Sequence, residues 1–226
     1  MSYREVAQNI ERLLKLRRPI VAIAYVKGDP QDLKPVEAAP PSSCTFWALA
    51  QLSSFKTYRE HHLNCSIGSV THGIRSAEEV RPGCGCADID FLVECEWITE
   101  EELRRMPSVK FSGGTICYGP LRQIEFEPDL ILMFCNAEQS MYVSSALPVK
   151  PKTVGRPSCV GVPVALNEKV PVMSLGCNPS RLRAGYGPDE LVVFIPGEMI
   201  RPFHDNLLRI IEIEDKVAVA VLQGRG

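Results

Sequence analysis

Apolar positions recur at helical spacing over residues 3–17, where Val6, Ile10, Leu13 and Leu14 share one face and Ser2 stands as N-cap. Pro19 then opens an unbroken apolar run, Ile20 to Val26, which predicts a strand buried on both faces. A proline-bearing loop, Gly28 to Pro41, leads to Ser42, Ser43 and Cys44, and a helix is expected from about Thr45 to Phe55. Tyr58 to Cys65 reads as strand or loop, and Ile67 to Ile74 as a short helix. Arg81-Pro82-Gly83-Cys84-Gly85-Cys86 is expected to be irregular from its proline and glycines. Phe91 to Trp97 reads as a strand, and Thr99 as the cap of a helix to about Met106.

The second half follows a similar course. Ile116 to Phe126 predicts a strand interrupted near Gly119-Pro120, and Pro128-Asp129 introduces Leu130 to Cys135, the strongest strand signal in the chain. A helix is expected over Ala137 to Ala146, and another beyond Cys159. Then come a strand at Val170 to Leu175, a short helix after Cys177 and a strand at Leu191 to Ile195. A C-terminal helix carries Leu207, Leu208, Ile211 and Val217. Alternating strands and helices predict an α/β fold, a compact mixed sheet with flanking helices. With no linker or low-complexity segment, residues 1–226 are expected to form a single domain with approximate halves 1–110 and 111–226.

Composition narrows the function classes. Charged residues are 23% of the chain and the net charge is -2, with basic residues scattered, so neither nucleic acid nor an anionic membrane is an expected partner. No apolar stretch approaches the roughly 20 residues that span a bilayer. Residues 1–18 interleave Arg and Glu with apolar positions, unlike a signal peptide, which predicts a cytoplasmic location.

That location changes the meaning of nine cysteines, an odd number in a reducing compartment and so not a disulfide framework. Cys117 and Cys135 sit in apolar runs and read as core filler. Four others form two matched segments. Pro41-Ser42-Ser43-Cys44 precedes Cys65 by 21 positions (65 − 44), and Gly73 lies 8 beyond (73 − 65). Pro157-Ser158-Cys159 precedes Cys177 by 18 positions (177 − 159), and Gly185 again lies 8 beyond (185 − 177). Each segment follows a strand opened by proline, at Pro19 and Pro128. This predicts a degenerate internal duplication with the two halves packed about a pseudo-twofold axis.

Four thiolates meeting at such an axis suit zinc or an iron–sulfur cluster. None of the four is in the close C-x₂-C pairing of zinc knuckles, so widely spaced cysteines at helix starts favour a cluster, expected as 4Fe-4S. The opposing reading is four small buried residues, and a third is redox-active thiols without metal. Cys84-Gly85-Cys86 can place two sulfurs on one ligand or work as a redox couple, with Cys95 nearby in sequence.

His61 and His62 precede Cys65, and His72 follows it; His62 and His72 are candidate proton donors. Arg181 and Arg183 follow Cys177, Arg181 being the candidate anchor for an anionic ligand. Asn136 to Gln139 follow the strongest strand, facing a ligand crevice or simply capping a helix. There is no G-x-G-x-x-G, Walker loop, G-x-S-x-G or H-E-x-x-H, which disfavours dinucleotide, ATP, α/β-hydrolase and zincin chemistry.

Tyr118-Gly119-Pro120-Leu121, Pro128-Asp129, Asn136 to Gln139 with Met141, Ser174 to Arg181, Pro188-Asp189-Glu190 and Ile195-Pro196-Gly197 occur here together. In these strings, from Pro19 to Gly197, the chain resembles the prokaryotic and archaeal family catalogued as domain of unknown function 169. The resemblance implies kinship without a settled activity. It places Cys44, Cys65, Cys159 and Cys177 among residues matching the family's motifs, and leaves the Cys84–Cys86 loop outside them. The expectation carried forward is an iron–sulfur or other thiolate-metal protein that acts on or binds a small molecule, the cluster serving as Lewis acid or electron carrier. The alternatives are a non-catalytic small-molecule or cofactor-binding protein and a thiol-redox protein using Cys84 and Cys86. A homodimer is expected only from size and class.

Overall fold

A computed structural model describes residues 1–111 and 113–224. In chain order its elements are α1 (Tyr3–Leu13), β1 (Val21–Val26), α2 (Thr45–Leu49), β2 (Phe55–Thr57), α3 (Ser66–Thr71), α4 (Ala87–Glu94), α5 (Glu100–Arg104), β3 (Thr115–Pro120), β4 (Leu130–Cys135), α6 (Ala137–Ala146), β5 (Lys152–Val154), α7 (Gly161–Glu168), β6 (Val172–Ser174), α8 (Asn178–Ala184), β7 (Leu191–Pro196) and α9 (Ile200–Leu222). The protein is therefore α/β, with one mixed sheet of seven strands in the order β2-β3-β1-β4-β7-β6-β5.

The continuous apolar runs of the central strands are explained by helices on both faces. Side chains alternate across the pleat: Leu130, Leu132 and Phe134 enter one core while Ile131, Met133 and Cys135 enter the other. β7 divides in the same way, with Val192 and Phe194 against Val193 and Ile195. The second core is closed by α1, α6 and α9, through residues such as Ile10, Val143 and Phe203. The first is closed by the helices that follow the cysteines, with Trp47 of α2 edge-on to Phe194 at 5.7 Å between ring centroids.

β1 and β4 pair antiparallel at the centre, Ala22 opposite Ile131. Outward from that pair the sheet reads β3 then β2 on one side, and β7 then β6 on the other. All of these neighbours are antiparallel. The outermost positions also correspond. β5 runs parallel to β6, and on the other edge Pro35 makes a single parallel bridge to Lys56 of β2.

Several expectations needed correction. Phe91 to Trp97 is not a strand: residues 87–94 are helical, because Ile89, Leu92 and Val93 fall at helical spacing against the core while Phe91 points outward. Asp88 and Asp90 in its first turn favour the helix through its dipole. The helix after Cys44 stops at Leu49, since Phe55 is drawn into pairing opposite Tyr118. Helix α1 ends at Leu13 rather than Arg17, and the third strand ends at Pro120, which turns into a 3₁₀ segment. Residues Arg59–His62 form a 3₁₀ turn in place of strand or loop. β2 and β5, of three residues each, are too short to leave a period in the sequence.

Phe194 is fully buried between β7 and α2, and Gly161 of α7 lies so close that an added Cβ would fall 2.3 Å from its ring. Phe194→Ala is expected to lower the unfolding free energy by about 3–5 kcal/mol, measured by urea denaturation; a loss under about 1 kcal/mol would mean that this layer is not tightly packed.

Candidate functional site

Cys44, Cys65, Cys159 and Cys177 line one cavity of about 160 Å³ on the first-core side of the sheet. Cys44 immediately precedes α2, and Cys159 lies in the 3₁₀ turn Ser158–Val160 ahead of α7. Cys65 and Cys177 are the N-caps of α3 and α8. Each strand–cysteine–helix connection thus delivers its thiol over the same face of the sheet, although β1 and β2 run opposite to β5 and β6. The cavity wall is mostly apolar, including Ile67, Leu92, Trp97 and Pro179, with Asp88 and Arg183 as its charged members.

The backbone fits tightly around this point. Gly68 in α3 faces Ser43, and a Cβ there would lie 2.2 Å from Ser43 Oγ and 2.8 Å from Cys65 Sγ. Gly73 and Gly185, the echoed glycines, both sit in the left-handed region at φ of 73° and 71° just beyond α3 and α8. That conformation ends each helix after about two turns at no steric cost.

Burial dominates the electrostatics. It pushes the Cys44 thiol well above its ordinary value, with Cys159, Cys65 and Cys177 adding to the rise. Cys159 is raised by burial and then by Cys65 and Cys177. Cys65 is also raised by burial, opposed by the N–H groups of Ser43 and Gly68; the latter donates to its sulfur at 3.3 Å. Cys177 Sγ donates to Ser180 Oγ at 3.4 Å, and Ser180 in turn bonds Ser158 at 2.9 Å. Each cysteine segment therefore has a buried serine, Ser43 or Ser158, directly before its first cysteine. Among the described residues, no group of three or more His, Cys, Asp or Glu side chains is arranged to hold a single metal ion.

The expected polar partners are placed differently. His62 and His72 are buried, but neither lines the cavity. Thr57 Oγ1 donates to the Ile116 carbonyl at 3.1 Å and so accepts from His62 Nε2 at 2.9 Å. This leaves His62 Nδ1 to accept from Ser43 Oγ at 3.4 Å. His62 therefore orients the serine that lies beside two of the cysteines. His72 Nδ1 bonds the Tyr25 hydroxyl at 2.5 Å, and its buried Nε2 is unpaired among the described residues. Burial drives the pKa of His62 well below the usual value and that of His72 to about 4, so both rings are neutral at pH 7. Neither supplies an imidazolium to the cavity.

Arg181 is turned away from the cavity, its guanidinium bonded to the carbonyls of Gly187 and Leu175 and stacked on Tyr186 at 5.0 Å. Arg183, two residues later on α8, is the arginine that reaches the wall. Asn136 and Gln139 form a reciprocal helix cap and also line a cleft against the end of α1, away from the cysteine cavity. Cys84 and Cys86 lie outside the cavity; the Cys84 thiol is raised by its hydrogen bond to Cys86, whose sulfur meets Arg75 at 3.6 Å. Cys117 and Cys135 are fully buried, as filler should be.

The sequence reading overlooked Asp88 and Trp97. Asp88 accepts from Ser66 N at 2.9 Å and Ser66 Oγ at 2.6 Å, closing the cavity wall against the start of α3. Asp88 carries no signal of its own in the sequence, since it lies between the Pro- and Gly-rich stretch 81–86 and an apolar run that a strand pattern also fits.

The family whose description reads "Uncharacterised ArCR", domain of unknown function 169, matches residues 9–206. The chain belongs to this family. A relative named uncharacterized protein MJ0308, from Methanocaldococcus jannaschii, is 26% identical over 212 residues, covering 88% of this chain and 90% of the relative. No solved structure matches the chain at a significant level. No helix among the described residues is long and apolar enough to cross a membrane.

The histidines give a stability test. Unfolded, each has the ordinary pKa near 6.5, whereas folded His72 binds a proton only at about 4. Below about pH 6.5 the unfolded chain therefore binds more protons, and stability falls as pH drops toward 4. His72 alone is expected to contribute of the order of 3 kcal/mol to that loss. Urea midpoints measured between about pH 7 and pH 5 check this, and a flat profile would contradict it.

Proposed function

We propose that this protein holds an iron–sulfur cluster on Cys44, Cys65, Cys159 and Cys177 and uses it to bind or transform a small molecule. The observation that carries the reading is the convergence of four sequence-distant thiols on one cavity with mainly apolar walls. The donor set fits the group: four sulfur atoms suit a cluster by softness. Their arrangement around a cavity, rather than at one point, suits a group held at its periphery better than a single zinc ion. Two of the four cap helix N-termini, where exposed N–H groups favour thiolate charge.

Bound through all four thiolates, such a cluster would supply a one-electron couple; bound through three of them, it would leave one iron open as a Lewis acid. The chain's own residues do the rest. Buried serines Ser43 and Ser158 sit beside the sulfurs, Ser43 being held by His62. Leu92, Ile67 and Trp97 exclude water, and Arg183 offers a positive charge at the wall. Hydrogen bonds and low polarity around the sulfurs are the features by which a protein sets a cluster's potential. The matched strand orders on either side of β1 and β4 support the view that the two cysteine segments descend from one duplicated unit.

The test is anaerobic purification with iron and acid-labile sulfide analysis. Wild-type protein is expected to be brown, with broad absorption near roughly 400 nm. Cys159→Ala is expected to lose most of the iron, while Cys135→Ala, on the opposite face of the sheet, should retain it. Colourless, iron-free wild-type protein would sink the proposal, as would equal iron in both variants. Loading is also expected to increase with pH, because the raised thiols must release protons as they bind metal.

A further inference from the structure

A second cleft, of about 360 Å³, opens beside the cysteine cavity, and the two share Trp97 and Pro157 in their walls. This volume is in the range of small-molecule sites, about 300–1,000 Å³. Met106 and Val160 give the cleft apolar surface, and Arg105 and Arg156 give it positive charge. The charges are not equally free. Arg105 pairs with Glu101 at 2.7 Å. Glu102, whose carboxyl is held down first by its bonds from Thr99 and then by the Arg156 charge, accepts from Thr99 N at 2.8 Å and Thr99 Oγ1 at 3.0 Å to cap α5. Arg156 makes no hydrogen bond or ion pair among the described residues; its guanidinium lies over the Trp97 ring, 5.5 Å from the centroid.

An unpaired guanidinium stacked on a half-buried indole has a definite chemistry. Its N–H fork remains open to a carboxylate, and the indole beside it offers a flat apolar surface. Arg156 is also three residues before Cys159 (159 − 156), so an anion held there lies next to the cysteine segment. Resting on the reading of the four-cysteine cavity as the reactive site, we propose that this cleft seats a small organic carboxylate with a flat apolar portion. The carboxylate meets Arg156, the flat portion meets Trp97, and the remainder of the molecule extends past Pro157 toward the cysteines.

The experiment titrates the full chain, as purified anaerobically, with sodium benzoate, followed by calorimetry and tryptophan fluorescence. Trp97 is partly exposed while Trp47 is fully buried, so a fluorescence response reports the cleft. Benzoate is expected to bind saturably, and neutral benzyl alcohol at least about tenfold more weakly. Arg156→Ala should weaken benzoate by about tenfold or more, and Arg156→Lys, which keeps the charge without the fork, by less. Lys27→Ala, on a different cleft, should change nothing. Absence of saturable binding, equal binding of benzyl alcohol, or unchanged affinity in Arg156→Ala overturns the proposal. Iron and sulfide content is measured on the same samples, so failure of this subsite and failure of the cluster reading are separately visible.

Discussion

The antiparallel pairing of Val21–Ile23 with Leu130–Leu132 fixes where everything else lies. Both strands are covered by helices on either face, so a one-residue slip would exchange the two sets of buried side chains and is strongly opposed. With this register set, the sheet grows outward in matching order on each side, and the connections leaving β1, β2, β5 and β6 each carry one cysteine to the cavity. The cysteines meet because they occupy corresponding positions in those connections. The opposite face, closed by α1, α6 and α9, is a plain apolar core.

The cavity is electrostatically unusual because its most reactive groups are neutral and crowded. Burial raises the thiols of Cys44, Cys65 and Cys159, and their proximity raises Cys44 and Cys159 further. These three thiols form a poor set of nucleophiles at pH 7, since the thiolate is the reactive form. A soft metal centre changes that balance by replacing protons. The two buried histidines fit the same logic. Kept neutral behind the cavity, His62 serves as a fixed acceptor for Ser43 rather than as an acid.

Much of the fold was legible because long apolar runs and reciprocal caps are local signals. Pro19 with residues 20–26, Pro128 with residues 130–135, and the Asn136–Gln139 cap each declared themselves. Phe91–Trp97 did not, because a short helix with one fully buried residue leaves a pattern that a strand can imitate. The edge strands failed for a related reason: three residues that pair only through tertiary contact carry no period. Among site residues, the four cysteines stood out by their repeated Pro-Ser and Gly neighbours. Trp97, Asp88 and Arg183 had no such repetition, and Arg181, the more prominent choice, is held by the carbonyls of its own loop.

The sequence by itself determined that this chain is α/β, which runs form its central strands, and which four of nine cysteines belong together. Those properties follow from periodicity and spacing, which act along the chain. Only the tertiary structure decided that the four thiols surround one cavity, that both histidines stand behind it, and that Trp97 divides it from a second cleft carrying an unpaired Arg156. These depend on strand register and helix packing between segments more than a hundred residues apart, and no local pattern encodes which side chain such packing will leave exposed.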